Sequence, residues 1–244
     1  MKYVATVEVR MTSSRLPGKP LMKSGSKTML EHLVARLQRA DNVDDIVIAT
    51  THNDSDLPIV NLAKNLKLKY FCGDESNVLS RVIGAAESVN ADVIVEITGD
   101  CPLIDPGIID QLVDTHKNND AHYVSNAHIR SYPDGMDVQI FSLDTLKKSY
   151  GMTNEPLHLE HVSLHIRENP HIFRQINIVA PKELYWPELG LTLDEESDFI
   201  LIDKIFEHFN QVEPNFNCLD VINFLKSNNK LVEINKGVVR KGDT

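Results

Sequence analysis

Residues Tyr3–Leu21 read YVATVEVRMTSSRLPGKPL, and this stretch decides how the rest of the chain is read. The apolar run Tyr3-Val4-Ala5-Thr6-Val7, extended to Val9, predicts a buried strand. The thirteen residues Val9–Leu21 then hold two arginines, a lysine, two serines, a threonine, a glycine and two prolines. Pro17 lacks a ladder donor and Gly18 costs backbone entropy, so the strand cannot continue. Pro17 and Pro20 interrupt any helix. What remains is a loop at the carboxyl end of the first strand, rich in backbone N–H groups, hydroxyls and positive charge. Those groups suit a polyphosphate.

Outward from that loop, strand and helix patterns alternate. Helical stripes are expected at Met29–Ala40, Ser55–Leu66, Val78–Ser88 and Pro106–Lys117. Strands are expected at Asp45–Thr51, Lys69–Phe71 and Asp92–Thr98. This is an α/β pattern, a mainly parallel sheet with helices on both faces. Ligands in such folds sit outside the carboxyl ends of the strands. The Arg10–Lys19 loop, Thr50-Thr51 and Gly99-Asp100 all fall there. The second half breaks the rhythm. Asp137–Phe141 and Phe173–Val179 read as strands, with helical stretches at Ser142–Tyr150 and Glu160–Glu168. Asp198–Asn210 is a strongly amphipathic helix, followed by Cys218–Asn228. The polar residues Lys236–Thr244 are expected to be mobile. No Ser/Gly linker divides the chain, so 1–244 is read as one domain. Its expected parts are residues 1–120, a small antiparallel substrate-side extension (about 121–185) and a closing segment (186–235).

Composition sets the bounds. The chain has 244 residues, 42% hydrophobic, with a formal net charge of −10. That balance argues against general nucleic-acid binding, which needs a basic footprint. No apolar run approaches the roughly 20 residues that span a bilayer. The three cysteines are far apart and in no CxxC spacing, which disfavours a disulfide framework or a zinc site. A cytoplasmic protein is expected.

Three constellations carry chemistry. Arg10, Ser13, Arg15, Gly18 and Lys19 suit a triphosphate, with Arg10 as a forked donor and Lys19 as a point charge. The loop is not a Walker A motif, since GxxxxGK[ST] is absent. A solvated surface loop is the alternative. Asp100 follows a buried strand between Gly99 and Cys101-Pro102 and suits magnesium, which takes one or two carboxylates plus phosphate and water. An Asx-turn is its alternative. Asp105 before Pro106 reads as an N-cap. In Leu191–Asp198, Glu195, Glu196 and Asp198 suit a helix's first turn. Asp194, just ahead of them, is the partner expected for Asp100.

These phrases, RMTSSRLPGKPL, GDESNVLSRV, ITGDCPLIDP, YPDGMDVQIF, LEHVSLHI and LTLDEESDFILI, resemble the spore-coat polysaccharide cytidylyltransferases. Those enzymes are relatives of the CMP-KDO and acylneuraminate cytidylyltransferases. The resemblance runs from residue 3 to about residue 205. It implies a GT-A-like nucleotidyltransferase fold and transfer of CMP from CTP to an acceptor, with release of pyrophosphate. It implies Arg10, Lys19, Asp100 and Asp194 as catalytic residues, with Mg2+ (or Mn2+) on Asp100 and Asp194. Val9, Met11, Ser13, Arg15 and Gly18 would join the triphosphate loop. Thr50, Thr51, Gly73, Val78 and Arg81 would form the base and ribose pocket, and Gly99 would flank Asp100. Tyr132, Gly135, Asp137, Gln139, Glu160 and His161 look like the acceptor side. His161 is either a base or acceptor contact, or an ordinary polar residue on a helix. The implied acceptor is a sugar acid or sugar phosphate. The family tendency is a homodimer, with residues 125–180 as the interface.

The sequence departs from the family in two places. Glu188-Leu189-Gly190-Leu191 stands where a basic residue is common, and Gln139 where an acid is usual. Three other readings stay open. One is a guanylyl- or uridylyltransferase acting on a sugar 1-phosphate. Another is a non-catalytic nucleotide-binding relative. The third is a glycosyltransferase, for which Asp54-Ser55-Asp56 is the one DxD triplet; helix capping would explain it.

Overall fold

The computed structural model describes residues 1–240. β1 (Tyr3–Glu8) opens the chain. After the loop and a 3-10 turn at Lys19–Leu21 comes a small antiparallel hairpin, β2 (Lys23–Ser24) and β3 (Lys27–Thr28). α1 (Met29–Leu37) starts on a capping box, Thr28 with Glu31. β4 (Asp45–Thr51), α2 (Leu57–Asn65), β5 (Lys69–Gly73), α3 (Val78–Ser88), β6 (Val93–Thr98) and α4 (Pro106–Lys117) complete the alternating half. Asp105 caps α4, with Pro106 in its first turn, as the spacing predicts. β7 (Tyr123–Ser125), β8 (Gln139–Ser142), α5 (Leu143–Tyr150), α6 (Pro156–Glu160), α7 (Leu164–Glu168) and β9 (Gln175–Asn177) follow. The chain closes with α8 (Glu196–Val212), α9 (Cys218–Ser227) and α10 (Asn229–Val232).

The main sheet has seven strands in the order β5-β4-β1-β6-β8-β7-β9. β5, β4, β1 and β6 run parallel, and β8 is antiparallel to both of its neighbours. The strands after residue 121 therefore extend the central sheet, and the separate antiparallel sheet is the β2–β3 hairpin. Apolar residues cover both faces. On one face Leu30, Leu33, Ile109, Leu201, Ile205 and Val221 from α1, α4, α8 and α9 pack together. On the other Val4, Ile94, Tyr123 and Phe141 meet Leu79, Val82 and Ile166 from α3 and α7.

Three expectations need correction. The second helix is preceded by a 3-10 turn at Asp54–Asp56, and Asp56 makes no cap. Its carboxylate instead accepts from Met11 N at 2.7 Å and from Thr51 Oγ1, tying the loop to β4. The stretch Glu160–Glu168 is not one helix. It breaks at His161, whose extended backbone (φ −105°, ψ 90°) ends α6. The break lets Ser163 Oγ donate to Gln139 Oε1 at 2.6 Å. The tail is not loose as far as Arg240, which is 8% exposed and ion-paired to buried Asp198. Residues 241–244 of that expected mobile tail lie outside the described residues.

Candidate active site

At the carboxyl ends of β1 and β6 the chain encloses a cleft of about 580 Å³. The loop after β1 forms one rim. It is pinned by Val9 N to Ala49 O (3.2 Å) and Gly18 N to Met11 O (2.9 Å). Gly18 holds φ at 76°, a left-handed conformation that starts the turn carrying Lys19. Gly99 is needed for a different reason. A Cβ there would lie 2.7 Å from Val9 Cβ and 2.8 Å from Glu8 O, so only glycine lets the ends of β1 and β6 close and bring Asp100 to the loop.

Lys19 Nζ donates to Asp100 Oδ2 (2.8 Å), Asp194 Oδ1 (3.2 Å) and Leu193 O (2.7 Å). Arg15 Nη2 also reaches Asp194 Oδ1, at 2.8 Å. Burial alone would lower the Lys19 pKa; Asp100 and then Asp194 reverse this and hold it above its ordinary value. Burial would raise the Asp100 carboxyl; Lys19 prevails and holds it below the usual range. Two carboxylates far apart in sequence thus share one cation. The backbone brings them together, because Leu193 N donates to Asp100 O at 2.8 Å. Asp198 fixes the second carboxylate's segment, accepting from Asp194 N and Glu195 N at 3.0 and 2.9 Å.

Arg10 Nη1 is held by Glu75 Oε1 at 2.9 Å, and Thr12 and Asn53 bond the same carboxylate. Arg81 Nη1 donates to Asp74 O at 2.5 Å and approaches from α3. Across the cleft stand Gln139, Glu160, His161, Ser163 and Arg167. Gln139 Oε1 accepts from both Tyr123 OH and Ser163 Oγ, at 2.5 and 2.6 Å.

Of the residues singled out from sequence, Val9, Arg10, Ser13, Arg15, Lys19, Val78, Arg81, Gly99, Asp100, Gln139, Glu160, His161 and Asp194 line this one cleft. The others lie behind it. Met11 packs against the core, and its N–H is taken by Asp56. Gly18 shapes the loop from outside the lining. Thr50 and Thr51 are buried at the end of β4. Gly73 supports Arg81, whose Cγ would lie 2.9 Å from a Cβ there. Tyr132 is a core residue, 4% exposed, outside the cleft lining. Gly135 adopts φ 98° with Leu191 and Thr192 backbone 2.7–2.8 Å from where a Cβ would stand, so it is a packing glycine. Asp137 sits beside Asp134; burial and then that neighbour push its pKa up to about 7.

Glu8, Glu96, Ser163 and Arg167 line the cleft as well and were missed, and Glu75 joins them from within the GDESNVLSRV phrase. Glu96 had a visible signal, a charge inside the apolar strand Val93–Thr98, VIVEIT. Burial pushes its pKa up to about 8, with Arg167 pulling the other way. Burial and then Glu96 raise Glu8 well above the carboxylate range.

Among the described residues no group of three or more His, Cys, Asp and Glu is placed to hold a metal alone. The Asp100–Asp194 pair supplies hard oxygen donors already gathered around a positive charge. That donor set fits magnesium, which completes its shell with phosphate and water.

Residues 4–236 match the family model described as cytidylyltransferase. The chain belongs to this family. As a cytidylyltransferase it is a nucleotidyltransferase, and the matched span contains every residue of the cleft. It is 35% identical to an uncharacterised protein of Methanocaldococcus jannaschii, over 99% of this chain and 97% of that one. It is 30% identical to the spore coat polysaccharide biosynthesis protein SpsF of Bacillus subtilis, over 91% of this chain and 93% of that one. Among solved structures it superposes on a cytidylyltransferase from Leptospira borgpetersenii with TM-score 0.89 and 29% identity, covering 98% of this chain and 99% of the other. No helix among the described residues is long and apolar enough to cross a membrane.

Proposed function

We propose that this cytidylyltransferase transfers CMP from CTP to a sugar acid or related acceptor, releasing pyrophosphate, in the synthesis of a surface polysaccharide precursor. The observation that carries the reading is the shared cation. Lys19 bridges Asp100 and Asp194 at the mouth of a loop that also presents Arg10 and Arg15. That is an arrangement for a triphosphate and a divalent ion together. The likeness to a polysaccharide biosynthesis protein supports the pathway.

Asp100 and Asp194 would hold Mg2+ or Mn2+, and the bound ion would neutralise phosphate charge. Arg10, Arg15 and Lys19 bind and orient the triphosphate, with Val9, Ser13 and Gly99 beneath it. Val78 and Arg81 take the base and ribose side, and Gln139, Glu160 and His161 the acceptor side. The acceptor oxygen attacks the α-phosphorus in line. The bond from that phosphorus to the bridging oxygen breaks, and its electrons leave with pyrophosphate. Fixed positive groups that meet the growing charge on the phosphates supply the main catalytic help. A phosphate oxygen attacks already ionised and needs no base; an attacking hydroxyl would pass its proton to a base on the acceptor side, where Glu160 and His161 line the cleft. The same reading places the protein in the cytoplasm, with CTP and a small acceptor as partners and no nucleic acid, working as a homodimer.

The test is pyrophosphate release with magnesium, using CTP, GTP, UTP and ATP against sugar acids and sugar phosphates. Release with CTP and one acceptor is the expected result. Release with GTP or UTP and not CTP overturns the proposal in favour of another nucleotidyl group.

A further inference from the structure

Four charged side chains of the cleft wall each keep a buried polar atom without a hydrogen-bond partner. Glu96 is 6% exposed, and its Oε2 is unpartnered. Glu8 accepts one bond, from Thr6 Oγ1 at 3.0 Å, and its Oε2 is unpartnered. The Nε atoms of Arg81, 3% exposed, and of Arg167 are unpartnered too. All four residues line the same cleft.

The sheet explains how the two acids meet. Thr6 of β1 and Glu96 of β6 are register partners, so Glu8, two residues on from Thr6, shares their face. Gln139 of β8 is the partner of Glu96 on its other side. One polar row, Thr6-Glu96-Gln139, therefore crosses the sheet at the cleft. Both lone pairs of Gln139 Oε1 are already taken by Tyr123 and Ser163. Glu96 Oε2 in that row and Glu8 Oε2 beside it are left open.

Buried polar groups without partners are rare and carry a cost that a bound group can remove. Two neighbouring buried carboxyls also repel when ionised, and burial penalises each charge. A ligand carboxylate or phosphate at this spot would deepen both problems. A ligand nitrogen with N–H groups and a positive charge relieves both. The flanking Arg81 and Arg167 leave room for an anionic group of the same ligand nearby.

We infer that the acceptor carries a basic nitrogen as well as an anionic group, as in an amino sugar phosphate or an amino sugar acid, and that Glu8 and Glu96 bind this nitrogen and set acceptor specificity. The inference rests on the cytidylyl-transfer reading above and narrows its acceptor.

The experiment measures kcat/KM for pyrophosphate release with CTP and magnesium, using matched acceptors. Glucosamine 1-phosphate is set against glucose 1-phosphate, and phosphoethanolamine against its hydroxyl counterpart. In parallel, calorimetry measures CTP binding, and thermal shift measures stabilisation of the CTP-bound protein by each acceptor. The amino member of a pair should exceed its hydroxyl partner at least about tenfold, the scale of one charge-assisted hydrogen bond. Glu96→Gln and Glu8→Gln, which keep shape but cannot ionise to meet an ammonium, should bring that preference below about twofold and leave the CTP Kd within about twofold, since they remove only that bond. Equal use of both members overturns the inference, and so does a preference that survives in both variants. A loss of CTP affinity in the variants also overturns it, since the acids would then serve the cytosine amino group. If nothing turns over, failure of every amine to stabilise the CTP-bound protein overturns it as well. Absence of CTP binding to the wild type strikes the underlying cytidylyl reading instead.

Discussion

Lys19 ties the loop to both aspartates of the cleft, and its loss has two separable effects. The ammonium touches Asp100, Asp194 and Leu193 O. Without it Asp100 loses its cation, and Asp194 keeps Arg15 and the more distant Arg240. Lys19→Ala should lower kcat by roughly 100-fold or more, the usual scale for removing one charge-stabilising donor. It should also lower Tm in EDTA, and magnesium with CTP should restore most of that loss. A Tm deficit that the ligands leave untouched would mean that Lys19 is structural only. Asp194→Ala should weaken magnesium dependence of turnover more than metal-free CTP binding; equal losses would show a packing role. Glu96 gives a prediction about pH. Its carboxyl holds a proton in the fold up to about 8, against an ordinary value of 4.5. The folded state therefore binds a proton that the unfolded chain has released. That contribution is complete below the ordinary value and is lost as pH rises through the raised one. Tm of the wild type should fall from about pH 5 to about pH 8 relative to Glu96→Gln, then run level with it. A constant difference across that range refutes the assignment. At this scale Arg10, Lys19 and Asp100 were legible because loop chemistry after a buried strand is local. Glu8 and Glu96 were not, because their meaning depends on the register of β1 against β6 and on what covers that face.

Elements were legible to the degree that their ends carry local signals. Val78–Ser88 and Pro106–Lys117 form at the expected residues, with Asn77 and Asp105 accepting N-terminal N–H bonds. Asp45–Thr51 forms at the expected residues because its β-branched run has no rival pattern. Lys69–Phe71 extends to Gly73 by pairing with Thr50 and Thr51, which no local pattern shows. The break at His161 and the docking of the tail are tertiary as well. That tail is the element with the clearest consequence. Arg240 Nη2 pairs with Asp198 Oδ1 at 2.6 Å, and Asn235 Nδ2 donates to the same oxygen at 2.8 Å. Asp198, 0% exposed, holds the backbone N–H of Asp194. Arg15 Nη1 meanwhile reaches Val239 O at 3.3 Å, so the same segment touches the loop after β1. Removing one partner of a buried pair leaves the other charge uncompensated, at a cost of about 3–5 kcal/mol. Arg240→Ala should show a loss of that order in urea unfolding. The magnesium concentration giving half-maximal turnover should rise too, because Asp194 loses its anchor. Unchanged magnesium dependence in a destabilised variant would confine Arg240 to a packing role.

Over the whole molecule, charge decides how CTP approaches. The protein carries a formal net charge of −10. The cleft does not offset this. Its lining holds five basic side chains, Arg10, Arg15, Lys19, Arg81 and Arg167, against six acidic ones, Glu8, Glu75, Glu96, Asp100, Glu160 and Asp194, of which burial keeps Glu8 and Glu96 protonated. Most of the basic groups are already engaged, Arg10 with Glu75, and Arg15 and Lys19 with the two aspartates. A free nucleoside triphosphate therefore meets a repulsive far field and a cleft near balance. Charge that makes binding favourable must arrive with the ligand, as a divalent ion. CTP should bind at least about tenfold more tightly with magnesium than in EDTA, as expected when one ion pair is added in a partly buried site. Ionic strength separates this account from a simple basic pocket. The screening length is about 10 Å at 0.1 M salt. Raising salt from about 20 to about 150 mM weakens the far-field repulsion and should leave metal-free CTP binding unchanged or slightly tighter. A cleft that drew phosphates by its own positive field would lose affinity over the same range. Calorimetric titration of CTP in EDTA at both salt levels measures the sign directly, and a clear loss of affinity with salt would overturn the charge argument.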